Sequence, residues 1–125
     1  MSPSIPRRVL VVEDEMMIAM MVEDMLTEMG HAVVGVAPNL RSALALAAAE
    51  QFDVAILDVN LAGERSFPVA HLLKARGVPF LFATGYGALG LEDPFRDAVT
   101  LKKPFHIEDL ASAVERASAG WRRPR

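Results

Sequence analysis

No cysteine occurs among the 125 residues of this chain. Disulfides, thiolate catalysis and cysteine-ligated metal sites are therefore excluded together. Aromatic residues are scarce at 6%, with one tryptophan, Trp121, and one tyrosine, Tyr86. No apolar run approaches the roughly 20 residues that cross a bilayer, and the first residues lack the apolar stretch of a secretion signal. Basic residues are scattered, apart from Arg7-Arg8 and the terminal Arg122-Arg123-Pro124-Arg125. With a net charge of -3 and no basic stripe interleaved with aromatics, nucleic-acid binding is disfavoured. Internal repeats and low-complexity segments are missing too. What remains is a cytoplasmic protein with no membrane or nucleic-acid partner. It reads as one domain over residues 1–125 with a core from about 8 to 119, and Met1 with a short charged tail reads as a complete chain.

What is present is a globular composition, 52% hydrophobic and 23% charged, arranged as strand and helix in alternation. Residues 9–12 are a continuous apolar run of the kind buried on both faces of a parallel sheet. Residues 16–29 switch to helical spacing and stop at Gly30. A strand over 31–37, a helix from Leu40 to about Glu50 capped by Asn39, and a strand over 53–57 follow. Ser66-Phe67-Pro68 opens a helix that Gly77 ends. Further strands are expected at 78–83 and 99–101, and a last helix at 106–119. Between them, Gly85, Gly87, Gly90 and Pro94 undermine a fourth helix. Residues 85–97 are accordingly expected to open easily and to carry conformational switching. Strands joined by crossover helices imply a doubly wound α/β fold: a five-stranded parallel sheet, flavodoxin-like, in the order 2-1-3-4-5 with helices on both faces. Ligands of such sheets sit where the order reverses, at the carboxyl ends of strands 1 and 3.

Those two ends are acidic. Residues 9–12 run into Glu13-Asp14, and Val54-Ala55-Ile56-Leu57 runs into Asp58, with Asn60 two residues on. An unpaired buried anion is very costly, so buried strands ending in carboxylates need a compensating charge. Three acids gathered at one edge suit a divalent cation with oxygen ligands and leave one carboxylate as a nucleophile. Lys102-Lys103-Pro104 offers the positive counterpart.

In order and residue by residue, Glu13-Asp14, Asp58, Thr84 and Lys103-Pro104 resemble the bacterial two-component receiver domain, over nearly the whole chain. Residues 79–87, Pro-Phe-Leu-Phe-Ala-Thr-Gly-Tyr-Gly, resemble the atypical, often stand-alone receivers named for a Phe-Ala-Thr-Gly motif. The resemblance implies that Asp58 accepts a phosphoryl group from a histidine kinase or histidine phosphotransferase. It implies Mg2+ on Asp14, Asp58 and the backbone carbonyl of Asn60, with Glu13 assisting through water. Lys103 then pairs with Asp58 or its phosphoryl group, the Thr84 hydroxyl meets a phosphoryl oxygen, and the Lys103-Pro104 peptide is cis. The phosphorylated form alters binding to a downstream protein, and the chain is a signalling module rather than an enzyme. Three positions differ from the common pattern. The loop after the phosphoacceptor is Leu61-Ala62-Gly63-Glu64-Arg65-Ser66, Thr100 replaces the usual aromatic, and the fourth helix is weak. With Thr100 there, Tyr86 is the nearest aromatic for a switch that also involves Thr84, Lys103 and Pro104.

Two rivals from other classes stand beside this reading. An aspartyl-nucleophile phosphatase of the haloacid-dehalogenase type carries Asp-x-Asp, where Asp58-Val59-Asn60 has an amide. A pseudo-receiver that binds partners without phosphorylation is favoured by Thr100 and the altered loop, and opposed by the intact acceptor, acids and lysine. His31, His71 and His106 share no ligand spacing and read as surface or boundary histidines. Six of the methionines crowd the first helix. Met25 and Met29 read as core filling, whereas Met16, Met17 and Met20 read as an adaptable partner-binding patch. Trp121 reads as a packed helix end.

Overall fold

The computed structural model describes residues 5–85 and 90–121. Its elements are β1 (Arg8–Val12), α1 (Met16–Glu28), β2 (Ala32–Ala37), α2 (Leu40–Ala49), β3 (Val54–Asp58), β4 (Asn60–Leu61), β5 (Glu64–Arg65), α3 (Phe67–Arg76), β6 (Phe80–Thr84), β7 (Thr100–Lys102) and α4 (Ile107–Ser118). The main sheet has the order β2-β1-β3-β6-β7, and every pairing in it is parallel. This is the expected 2-1-3-4-5 arrangement, with β4 and β5 set apart as a small antiparallel pair.

Strand alternation sorts the apolar side chains into two layers. Leu10, Val12, Ala55, Leu57 and Phe82 pack with Ala43 and Ala47 of α2 and Val69, Ala70 and Leu73 of α3. Val9, Val11, Val54, Ile56 and Leu81 pack on the other face with Val22 and Leu26 of α1 and Leu110, Ala113 and Val114 of α4. Both faces are covered, which is why these strands read as unbroken apolar runs.

Among its described residues, the crossover from β6 to β7 holds no α-helix. Its one helical piece with described bounds is a 3-10 turn, Asp93–Phe95. Two residues of the stretch expected to open easily are nevertheless anchored in the core. Leu91 and Phe95 are buried. The Phe95 ring stacks on Phe67 at 5.8 Å between centroids and meets Phe80 and Phe82 edge-on. His71 of α3 lies 3.5 Å from Glu92, and Arg65 donates to the Gly90 carbonyl at 3.2 Å. Tyr86 lies outside the described residues.

Trp121 is a packed helix end, as expected. It lies against the core on the α2–α3 side, and its indole N–H donates to Asp53 Oδ1 at 3.2 Å. The other Asp53 oxygen accepts the Arg8 amide at 2.7 Å. The three histidines stay apart, but His31 is not the surface or boundary residue expected. His31 is buried and accepts the Arg7 amide at Nδ1, His71 is on α3, and His106 precedes α4. Burial lowers the His31 pKa below 6.5, with Glu115 opposing and Arg7 reinforcing the shift. Among the described residues, no helix is long and apolar enough to cross a membrane.

Candidate functional site

Because β1 and β3 pair in parallel, with Val12 opposite Leu57, their carboxyl ends lie side by side. The next residues are therefore neighbours: Glu13 and Asp14 after β1, and Asp58 closing β3. One oxygen from each of Glu13, Asp14 and Asp58 can be chosen so that all three lie within 4.8 Å of one another. Glu13 is held by its own amide, which donates to the Ala37 carbonyl at 3.0 Å, and both it and Asp58 are buried.

Lys103 supplies the nearest cation. Its Nζ stands 2.7 Å from Glu13 Oε1 and 3.4 Å from Asp58 Oδ2. Its amide donates to the Thr84 carbonyl at 2.9 Å, which fixes the end of β7 against the end of β6. Thr84 is buried one residue beyond Ala83, the partner of Asp58 in the sheet. The peptide from Lys103 to Pro104 is cis, as the resemblance implied.

The charges do not balance, and this sets the chemistry. Glu13 holds the shorter contact to the ammonium. Burial and the neighbouring Glu13 together push the Asp58 carboxyl up to about 7, against a weaker pull from Lys103. Burial alone would lower the Lys103 pKa, yet Glu13 and Asp58 outweigh it and the result is raised. Lys103 is thus a fixed positive charge, and Asp58 is the carboxyl left short of compensation. The donors are all hard oxygens, so the cluster fits a divalent cation of the Mg2+ or Ca2+ kind. Such an ion would supply the charge that Asp58 lacks.

The remaining expected residues are placed as follows. Asn60 opens β4, is exposed, and stands two residues from Asp58. Met16, Met17 and Met20 are exposed on α1, outside the carboxylate cluster. Two features escaped sequence reasoning. One is Glu13 as the closer partner of Lys103. The other is the β4–β5 turn, where Ala62 at φ 51° and Gly63 at φ 89° reverse the chain and the Ala62 amide donates to Asp14 Oδ2 at 3.1 Å. Positive φ at both central residues is the turn that suits a two-residue hairpin, and Gly63 was its available signal.

Comparison with known proteins identifies the family and agrees with the fold. The family model described as response regulator receiver domain matches residues 9–115. The transcriptional regulatory protein PdtaR of Mycobacterium tuberculosis is 34% identical over 123 residues, which covers 95% of this chain. The chain spans about 60% of the length of PdtaR. The solution structure of SdrG from Sphingomonas melonis Fr1 is similar at a TM-score of 0.79 and 44% identity, covering 91% of this chain and 96% of SdrG. The receiver domain of the PhyR response regulator from Erythrobacter litoralis is similar at a TM-score of 0.81 and 27% identity, covering 96% of this chain and 95% of that domain.

Proposed function

The chain belongs to the response regulator receiver family, and on that premise we propose that Asp58 is its phosphoacceptor in a two-component relay. The phosphoryl group comes from a phosphohistidine on a histidine kinase or histidine phosphotransferase. The phosphorylated chain then changes its binding to a downstream protein. The observation that carries this reading is buried Asp58, set between two further carboxylates and a lysine at the edge where the strand order reverses.

A carboxylate oxygen of Asp58 attacks phosphorus in line. A P–O bond forms as the P–N bond breaks, and the imidazole leaves with the electron pair. Such transfers depend on positioning and charge neutralisation more than on acid–base groups. Asp14, Asp58 and the Asn60 carbonyl would hold Mg2+, with Glu13 assisting indirectly. When bound, Mg2+ neutralises the carboxylates and the phosphoryl oxygens. Lys103, resting on Glu13, turns to the new phosphoryl charge, and the Thr84 hydroxyl bonds another phosphoryl oxygen.

Incubation with acetyl phosphate and Mg2+, read by intact mass, tests the assignment. The protein should gain one phosphoryl group, and Asp58→Ala should gain none. A variant lacking Asp58 that incorporates phosphate at the unaltered level overturns it. The pH dependence supplies a second check. The Asp58 carboxyl is pushed from 3.8 to about 7, so the folded, metal-free state holds its proton more tightly than the unfolded chain does. That contribution stabilises the fold in acid and is lost as pH rises through 7. Asp58→Asn should therefore stabilise the metal-free protein at pH 8, by at most about 4 kcal/mol. Mg2+ affinity of the unaltered protein should rise over the same pH range, because the ion displaces the proton.

A further inference from the structure

Directly after Asp58 the chain turns back on itself. Asn60 pairs with Arg65 and Leu61 with Glu64, and the Ser66 amide closes the base on the Val59 carbonyl at 2.9 Å. Leu61 is buried in the core, which roots a hairpin too short to stand alone. Its first arm follows β3 and its second arm leads into α3. A turn closed this tightly has few internal ways to deform, so a displacement of one arm carries the other with it.

Two hydrogen bonds tie this hairpin to distant parts of the chain. At its tip the Ala62 amide donates to Asp14 Oδ2 at 3.1 Å. Ala62 holds φ 51°, a conformation disfavoured for alanine and open to glycine. The strained residue is thus the one that carries the bond to the acidic cluster. A carboxylate turns as one unit, so a donor on Oδ2 also sets where its second oxygen lies. On the second arm, Arg65 Nη1 donates to the Gly90 carbonyl at 3.2 Å. The next residue, Leu91, is buried, and the Phe95 ring beyond it stacks on Phe67. The Arg65 bond is exposed, so water competes for both partners and the bond is readily exchanged.

We propose that the β4–β5 hairpin positions Asp14 for the divalent ion and couples its carboxylate to the crossover, with Arg65 as the positioning residue at the far end. An ion that draws in Asp14 and the Asn60 carbonyl acts on the tip and the first arm together. The hairpin shifts as one body, and Arg65 releases Gly90. By linkage, a crossover seated on Arg65 holds the hairpin, and Asp14 with it, in the resting arrangement. An ordinary solvated charge at Arg65 would leave the Ala62 strain and the Gly90 bond unconnected. This coupling rests on the divalent-ion site proposed above and does not require phosphoryl transfer.

Amides of isotope-labelled protein are followed by NMR through a Mg2+ titration. In the unaltered protein the Ala62 amide and the Leu91 amide, which shares the Gly90 peptide group, should shift with one midpoint. The Leu91 shift should survive high salt, which screens any direct field of the ion. In Arg65→Ala the Ala62 shift should persist and the Leu91 shift should be lost. Gly63→Ala should weaken the Leu91 response from the other end: Gly63 holds φ 89° with nothing within 4 Å of an added Cβ, so the change strains only the turn. A merely structural brace would lower the melting temperature in these variants and leave the Mg2+ response of Leu91 in place. A Leu91 shift that survives in Arg65→Ala or is unchanged in Gly63→Ala would overturn the proposal. So would a Leu91 or an Ala62 amide indifferent to Mg2+ in the unaltered protein. Phosphoryl uptake from acetyl phosphate is scored on the same samples. Its failure would remove the phosphotransfer reading and leave the coupling standing.

Discussion

Helices α1 and α4 pack on the same face of the sheet, and each buries one leucine completely, Leu26 and Leu110. Their ends are built differently. At the start of α4 the Asp109 carboxylate accepts the His106 amide at 2.9 Å, Glu108 and Asp109 lie in the first turn, and Arg116 lies in the last. Every one of these placements complements the helix dipole. The residue before α1, Glu15, makes no side-chain cap bond, and the helix has no acid in its first turn and no base in its last. Both helices are held by their buried faces, but only α4 is also satisfied by its own surface. The helix less satisfied by its own surface, α1, is the one that starts two residues after Asp14.

The comparison breaks most readily in the core. Leu26→Ala and Leu110→Ala should each destabilise the fold by about 3 kcal/mol, measured by denaturant unfolding, because the two side chains are equally buried. A tolerated Leu26→Ala beside a crippling Leu110→Ala would mean that α1 is not anchored as described. The ends come next. Asp109→Ala should remove about 1 kcal/mol with the cap, whereas Glu15→Ala should change stability by less than about 0.5 kcal/mol. Smallest are the charges near the carboxyl ends. Glu28→Gln should raise stability by about 0.3 kcal/mol and Arg116→Gln should lower it by a similar amount, read as opposite shifts of the urea midpoint. Shifts of the same sign in both helices would erase the contrast.

These differences were unevenly legible in the residues alone. The sheet order followed from strands so fully buried that they read as solid apolar runs, and the glycines and Pro94 marked the crossover whose described residues hold only a 3-10 turn. What the composition of that crossover concealed was the anchoring of Leu91 and Phe95 in the core, set among exposed Glu92, Asp93, Pro94, Arg96 and Asp97. Two apolar residues among polar ones and a proline are too few to set a period. The β4–β5 pair escaped because strands of two residues carry no alternation. At the candidate site, the residue types and their strand ends were readable, since each acid follows its own apolar run. The sharing of Lys103 between Glu13 and Asp58 was not, because 2.7 Å against 3.4 Å is decided by side-chain reach across ninety residues of sequence. The split in α1 was readable in part. Six methionines could not all face inward, and the four that face out are Met16, Met17, Met20 and Met21.

Trp121 gives the molecule a built-in reporter with a defined blind spot. It is the chain's single tryptophan, and its indole is fastened to Asp53, just before the start of β3. Asp58 closes the same strand five residues later, about 17 Å away along an extended chain. Indole fluorescence should therefore follow global melting faithfully, because unfolding frees the ring from the core and from Asp53 together. It should stay nearly silent while events at the opposite edge of the sheet run their course. Anyone following activation of this protein by its intrinsic emission would see a steady signal, and that steadiness would report distance rather than inactivity.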